Sequence, residues 1–373
     1  MTLYESSGTV LKLPVDLTLC GLGGCGKRMV GEICRHEWFL KYYSQGGRNL
    51  RIYTMDTDAN EKDQDELRRR AVLEEVENLG GQGSVEYTSL FLPHLANISQ
   101  VSHLASEEVV RKIKGTKAEP KASVWWLNDP DTGLRFDDLR AIDPGIHEDF
   151  SGGVHRRRAI SKAIFYKVIS EGQASGFPMF SNMGTNAIIV GLGGGTGSGM
   201  FIDLARYIRA QRGETAQIWL FVILPTTKES EAEQTNAAIA LTELEYINQK
   251  ERLFNNIVLT SLGPTGYKKG EEARREVRDF DAAFPYIFTN FFQIEKGDLN
   301  ISDARKSYSS FILADAHIVS YPVEELRNLK NRYEEVINEL NGVTETRKRL
   351  NQVVSDLRED LIKIMDPVEE GIP

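Results

Sequence analysis

Five glycines fall among seven consecutive residues at Gly193-Gly194-Gly195-Thr196-Gly197-Ser198-Gly199. Glycine at that density weakens any regular element, so the run must serve a backbone that takes positive φ values and approaches something closely. A phosphate suits such a loop. Successive backbone N–H groups form an anion-binding concavity, and a following helix adds partial positive charge at its N-terminus. The Thr196 and Ser198 hydroxyls can donate to phosphate oxygens. A second glycine run, Gly21-Leu22-Gly23-Gly24-Cys25-Gly26-Lys27, is a further candidate for holding a phosphorylated ligand. The glycine run fits Walker A spacing, but Arg28 stands where a hydroxyl would bind Mg²⁺, and a guanidinium cannot ligate a cation. The same residues satisfy the G-x-G-x-x-G dinucleotide pattern, with Asp56 or Asp58 as ribose acceptor. Neither alternative accounts for the run at 193–199.

Short apolar runs bounded by glycine or polar residues predict strands at Leu17 to Cys20, Leu50 to Met55, Ala187 to Val190, Ile218 to Leu224 and Ile257 to Leu262. Helical patterns at Met200 to Ala210 and Thr235 to Arg252 lie between them. Strands alternating with helices imply an α/β domain, Rossmann-like, with a mostly parallel sheet and helices on both faces. Strand, glycine loop and helix follow one another twice, at 17–36 and 187–210. Both loops therefore sit at carboxyl ends of strands, where open α/β sheets bind ligands. Residues 61–150 are polar and interrupted, and read as an enlarged insertion decorating the sheet.

The Gly193–Gly199 run resembles the signature loop of the tubulin/FtsZ superfamily, which wraps the phosphates of GTP. The order of the other loops is similar over roughly residues 13–310. Gly21, Gly23, Gly24, Cys25, Gly26 and Lys27 stand at the family's first phosphate loop. Asp56-Thr57-Asp58-Ala59 resembles the family's Asn-Thr-Asp-Ala, which implies a nucleotide contact for Asp58. Ser151-Gly152-Gly153 stands where the family senses the γ-phosphate, implying contacts from Gly152 and Gly153. Thr227-Lys228-Glu229 resembles the start of the ribose loop and puts Glu229 at the ribose-binding glutamate, while Glu233 takes a position that is arginine in bacterial division proteins. Asp279-Phe280-Asp281, read as preceding a helix from Ala282 to Phe292, resembles the guanine site, with Phe280 stacking on the base and Asp281 accepting from its N–H groups. Asp298-Leu299-Asn300-Ile301-Ser302-Asp303-Ala304 looks like the family's catalytic loop, which reaches the nucleotide of the next subunit. The resemblance thus implies a GTPase that assembles head to tail, with Asn300 and Asp303 completing a neighbour's site, GTP or GDP as ligand and Mg²⁺ as its companion, the ion's protein ligands unassigned.

Apolar residues at Leu326, Leu329, Tyr333, Val336, Leu340, Val343, Leu350, Val354, Leu357, Leu361 and Ile364 repeat three and four apart, interrupted by Arg347. That heptad pattern predicts a helix over 323–364, either a coiled coil with another chain, a helix packed on its own body, or a hairpin folded at Asn341-Gly342. Residues 311–373 are therefore expected to replace or truncate the family's second domain. The composition, with 41% hydrophobic and 27% charged residues, is that of a globular protein. A net charge of −9 argues against general nucleic-acid binding. Three cysteines crowded at Cys20, Cys25 and Cys34, without metal-ligand spacing, point to reduced thiols and a cytoplasmic location. No apolar run reaches bilayer length and the N-terminus lacks the pattern of a signal peptide, so membrane contact is expected only through an adaptor.

Overall fold

The computed structural model describes residues 12–81, 83–92, 150, 152–170, 180, 184–226, 229–261, 271–293, 311–314 and 323–365. Its centre is a seven-stranded sheet in the order β3-β2-β1-β4-β5-β6-β7, with every neighbouring pair parallel. The strands are β1 (Asp16–Leu22), β2 (Asn49–Asp56), β3 (Ser84–Phe91), β4 (Thr185–Gly191), β5 (Gln217–Leu224), β6 (Asn256–Ser261) and β7 (Phe311–Ala314). In the described sheet unit the helices are α1 (Gly23–Cys34), α2 (Glu37–Tyr43), α3 (Lys62–Asn78), α4 (Arg158–Ser170), α5 (Thr196–Arg212), α6 (Glu231–Glu251) and α7 (Glu271–Gln293).

The central strands are buried on both faces, which is why they read as mostly apolar runs. Alternation along each strand divides the core in two. Leu17, Leu19, Ala187, Ile189 and Phe221 face a cluster that includes Met29, Val30 and Ile33 of α1 and Phe284 and Phe288 of α7. Cys20, Leu22, Ile188, Val190, Leu220 and Val222 face the opposite cluster, with Ile164 and Phe165 of α4, Phe201 and Leu204 of α5 and Leu244 of α6. Helices thus cover both faces, as the sequence implies.

Three boundaries differ from expectation. The segment read as an insertion from 61 first supplies α3 and the edge strand β3, which pairs with β2 from Ser84 to Phe91. Its polarity is that of the periphery: α3 buries only Asp65 and Val72, and β3 buries only Tyr87. Residues 93–149 lie outside the described ones. Asp279-Phe280-Asp281 lies inside α7, not before it, because the helix starts at Glu271 and runs through Pro285. Finally, β7 joins the sheet at Phe311, so the division of the chain into compact units falls between His317 and Ile318.

The described residues of the second unit form the helix α8 (Val323–Met365), which passes Asn341-Gly342 without a break. The hairpin alternative is not what forms. Leu329, Tyr333, Val336, Leu340, Val343, Leu350, Val354, Leu357 and Leu361 are each at least 57% exposed. No helix of the described residues is long and apolar enough to cross a membrane.

Candidate functional site

The chain passes from β1 to β2 on one side and to β4 on the other, so the carboxyl ends of the paired strands β1 and β4 flank a topological switch point. Crevices of this kind are the ligand sites of open α/β sheets. Two helices start there, α1 directly after Leu22 and α5 directly after Gly195. Neither has a side-chain cap or an acidic residue in its first turn. Uncapped N-termini present N–H groups and partial positive charge that an anion satisfies.

The glycines of the two loops are needed mainly because the loops touch. Gly23 has φ +65, and a Cβ there would lie 3.0 Å from the Gly197 nitrogen. A Cβ on Gly197 would meet Leu22 O at 2.7 Å, and one on Gly26 would meet Ile189 O at 2.3 Å. A Cβ on Gly21 would fall 2.8 Å from Gly26 O. Gly195 and Gly199 are confined by the 152–158 segment, with Arg156 Cα 2.8 Å and Arg158 O 2.3 Å from the respective Cβ positions. The expectation of positive φ along 193–199 is therefore corrected: close approach to protein is what excludes side chains. Among the described residues only Gly24 and Gly194 open outward: a Cβ on Gly194 meets none of them within 4 Å, and one on Gly24 meets only the Glu61 carboxylate at 3.8 Å.

Side chains tie the neighbouring loops to this centre. The Thr57 and Thr196 hydroxyls lie 2.8 Å apart, joining the end of β2 to the start of α5. Asp58 accepts from Asn60 N at 2.9 Å and forms an isolated antiparallel bridge with Gly152. Gly153, at φ +94, folds against Asp58. From α4, Arg158 donates to Ser198 O at 3.0 Å and Ser161 donates to Thr196 O at 2.6 Å. The Ser198 hydroxyl donates to Gly194 O. The two hydroxyls expected to meet phosphate thus have protein partners.

Lys27 is only 1% exposed, and its ammonium lies 2.7 Å from Asp56, 2.8 Å from Glu61 and 2.7 Å from Asp65. Burial works against its charge, but the three carboxylates outweigh that and hold the lysine above its ordinary value. Burial likewise pushes Asp56 above the usual carboxylate range despite Lys27. This lysine, assigned to nucleotide by sequence, is an internal counter-ion that fixes α1 to β2 and α3.

At the other rim, Glu229 stands beside Gly193, and burial together with Glu233 pushes it up. Glu233 closes a capping box with Ser230 and pairs with Arg156 at 3.1 Å. Phe280 is 8% exposed and packs on Phe284 with ring centroids 6.0 Å apart, so it is a core residue. Asp281 lies 3.5 Å from Arg28, and burial pushes its carboxyl up. Ser151, Thr227, Lys228, Asn300 and Asp303 fall outside the described residues.

Arg156 and Asn236 were not singled out from the sequence. Asn236 Nδ2 donates to Arg156 O at 2.7 Å and Gly193 O at 3.3 Å, binding the two loops together. The Arg156-Arg157-Arg158 run after two glycines was a usable signal; a lone asparagine in α6 was not. Among the described residues no group of three His, Cys, Asp or Glu is arranged to hold a metal ion.

Residues 167–329 match a family model described as tubulin like. No curated protein matches the chain. Among solved structures, CetZ from Methanosaeta thermophila is 14% identical with a TM-score of 0.45, over 80% of this chain and 61% of that one. A GTPγS-bound protofilament of CetZ2 from Haloferax volcanii is 14% identical with a TM-score of 0.41, over 78% and 63%. Clostridium botulinum phage c-st TubZ, lacking its C-terminal tail, is 13% identical with a TM-score of 0.35, over 78% and 61%. The chain spans less than two thirds of the length of each of these structures.

Proposed function

We propose that the chain is a divergent tubulin-like protein that binds guanosine di- and triphosphate at the β1/β4 crevice and hydrolyses the triphosphate on assembly. The observation carrying this reading is the pair of uncapped helix N-termini, α1 and α5, starting side by side at the switch point. The crevice fits a polyphosphate: its donors are backbone N–H groups, and its open positions, Gly24 and Gly194, leave room for oxygens. The nucleotide supplies a scissile phosphoanhydride, whose cleavage by water depends on positioning and charge stabilisation more than on covalent chemistry.

In this reading Glu229 accepts from the ribose hydroxyls, and Asp281 selects guanine by accepting from its N–H groups. Asp281 first has to give up Arg28. Phe280 is buried against Phe284, so its ring would have to turn outward to stack on the base. Lys27 acts indirectly, by holding the α1 loop in place. Mg²⁺ would ride in with the nucleotide, and no step is assigned to it. Asn300 and Asp303 orient the attacking water in the neighbouring subunit. Such a contact is head to tail, and a contact of that kind repeats into a filament.

The GTPase rate per subunit is then expected to rise with protein concentration, and Asp303→Ala to lower it while leaving GTP binding intact. A rate that stays flat across the light-scattering threshold, with full activity in Asp303→Ala, would end the shared-site reading. The exposed heptad seam of α8 is proposed to associate with a second copy of the helix. The same light-scattering series on a chain ending at Pro322 should yield smaller assemblies; unchanged size would assign the seam to another role.

A further inference from the structure

Resting on the nucleotide reading above, we infer that Arg156 is the side-chain cation that meets the phosphates in this crevice, with Glu233 as its resting counter-ion. The other basic groups described around the two glycine loops are already committed. Lys27 is enclosed by three carboxylates. Arg158 is spent on Ser198 O and on Glu243 at 2.7 Å, and Arg28 faces Asp281. Arg156 differs in being 53% exposed and in pairing with a carboxylate that has other donors. Glu233 also accepts from Ser230 N at 2.9 Å and from the Ser230 hydroxyl at 2.8 Å, so it stays hydrogen-bonded when the guanidinium leaves.

The backbone brings Arg156 to the right place. Its Cα is 2.8 Å from where a Gly195 Cβ would be, so it abuts the first turn of α5. Both His155 and Arg156 take left-handed backbone conformations, φ 47 and 64. Non-glycine residues rarely do so, and strain of this kind persists only where the surroundings enforce it and tends to collect at functional turns. Here Asn236 enforces it, gripping Arg156 O and Gly193 O together. A phosphate at the α5 N-terminus would carry more negative charge than the Glu233 carboxylate and offer the same forked geometry, so the guanidinium gains by exchanging one for the other. Without that exchange, Glu229 and Glu233 would together repel the incoming anion.

The test measures GTP and GDP affinity by calorimetry on the full chain, with thermal melting in parallel. Arg156→Gly removes the guanidinium and relieves the left-handed backbone, so the fold is kept. It should weaken both nucleotides at least about tenfold, as expected for losing a charge-assisted pair, while melting stays unchanged or rises. Arg156→Lys should recover part of the loss, and Glu233→Gln should bind more tightly than wild type by a few-fold. Unchanged affinity in Arg156→Gly would overturn this inference while leaving the nucleotide reading intact. Failure of the wild-type chain to bind either nucleotide would overturn the nucleotide reading, and this inference with it.

Discussion

Lys27→Met is expected to destabilise the sheet unit by about 3–5 kcal/mol at pH 8, the range seen when one partner of a buried ion pair is removed. Methionine preserves most of the side-chain volume, so the loss is electrostatic. It leaves Asp56, Glu61 and Asp65, which now share one ammonium at 2.7, 2.8 and 2.7 Å, facing one another. The pH dependence identifies the cause. In the wild-type fold the lysine is held above its ordinary value, so its contribution is complete below the unfolded lysine pKa and is lost only as pH rises through the folded one. Mild acid therefore leaves that contribution unchanged. Asp56 is already raised by burial, and without Lys27 it rises further. A carboxylate raised in the fold contributes stability while protonated and withdraws it as pH rises through its folded pKa. Relative to wild type, the variant should recover part of its loss between pH 8 and pH 5. Urea denaturation at both values measures this, and an equal deficit at the two would contradict the cage.

Gly194→Trp is expected to weaken nucleotide binding roughly a hundredfold, about 2.7 kcal/mol, with little change in melting temperature. Gly194 is exposed, and a Cβ there meets nothing within 4 Å, so the indole occupies ligand space without displacing protein. Gly197→Ala should do the reverse. Its methyl would lie 2.7 Å from both Leu22 O and Val190 Cγ2, and overpacking of that kind costs about 1–3 kcal/mol. Alanine at Gly195 or Gly197 is thus a poor probe of phosphate contact, since any loss of binding would follow from displaced loops. Denaturation and calorimetry on both variants separate the two effects. A Gly194→Trp protein with wild-type affinity would place the phosphate elsewhere.

The sheet was legible where burial is two-sided. β1, β4 and β5 are apolar almost without interruption because both faces meet helices. The same logic hid β3, whose edge position exposes most of its side chains, and α3, which covers little of the core. The helix α7 starts at Glu271, upstream of the start read at Ala282, and continues through Pro285, a residue that ordinarily breaks a helix interior. Composition announced the glycine loops but not the cause of their composition, since the contacts of Gly26 with Ile189 and of Gly23 with Gly197 exist only once β1 lies beside β4. The partners of Lys27 come from three different elements. Arg156 and Glu233, far apart in sequence, meet only in the fold. Pairings of this kind leave no local pattern.

The crevice built by the two glycine loops is proposed to be a guanine-nucleotide site. Calorimetric titration of the full chain with GTP and with ATP, repeated on Gly194→Trp, tests it most directly. The predicted result is saturable GTP binding at least about tenfold tighter than ATP, a difference of about 1.4 kcal/mol, and its loss in the variant. ATP binding as tightly as GTP, or GTP binding undiminished by the tryptophan, would contradict it.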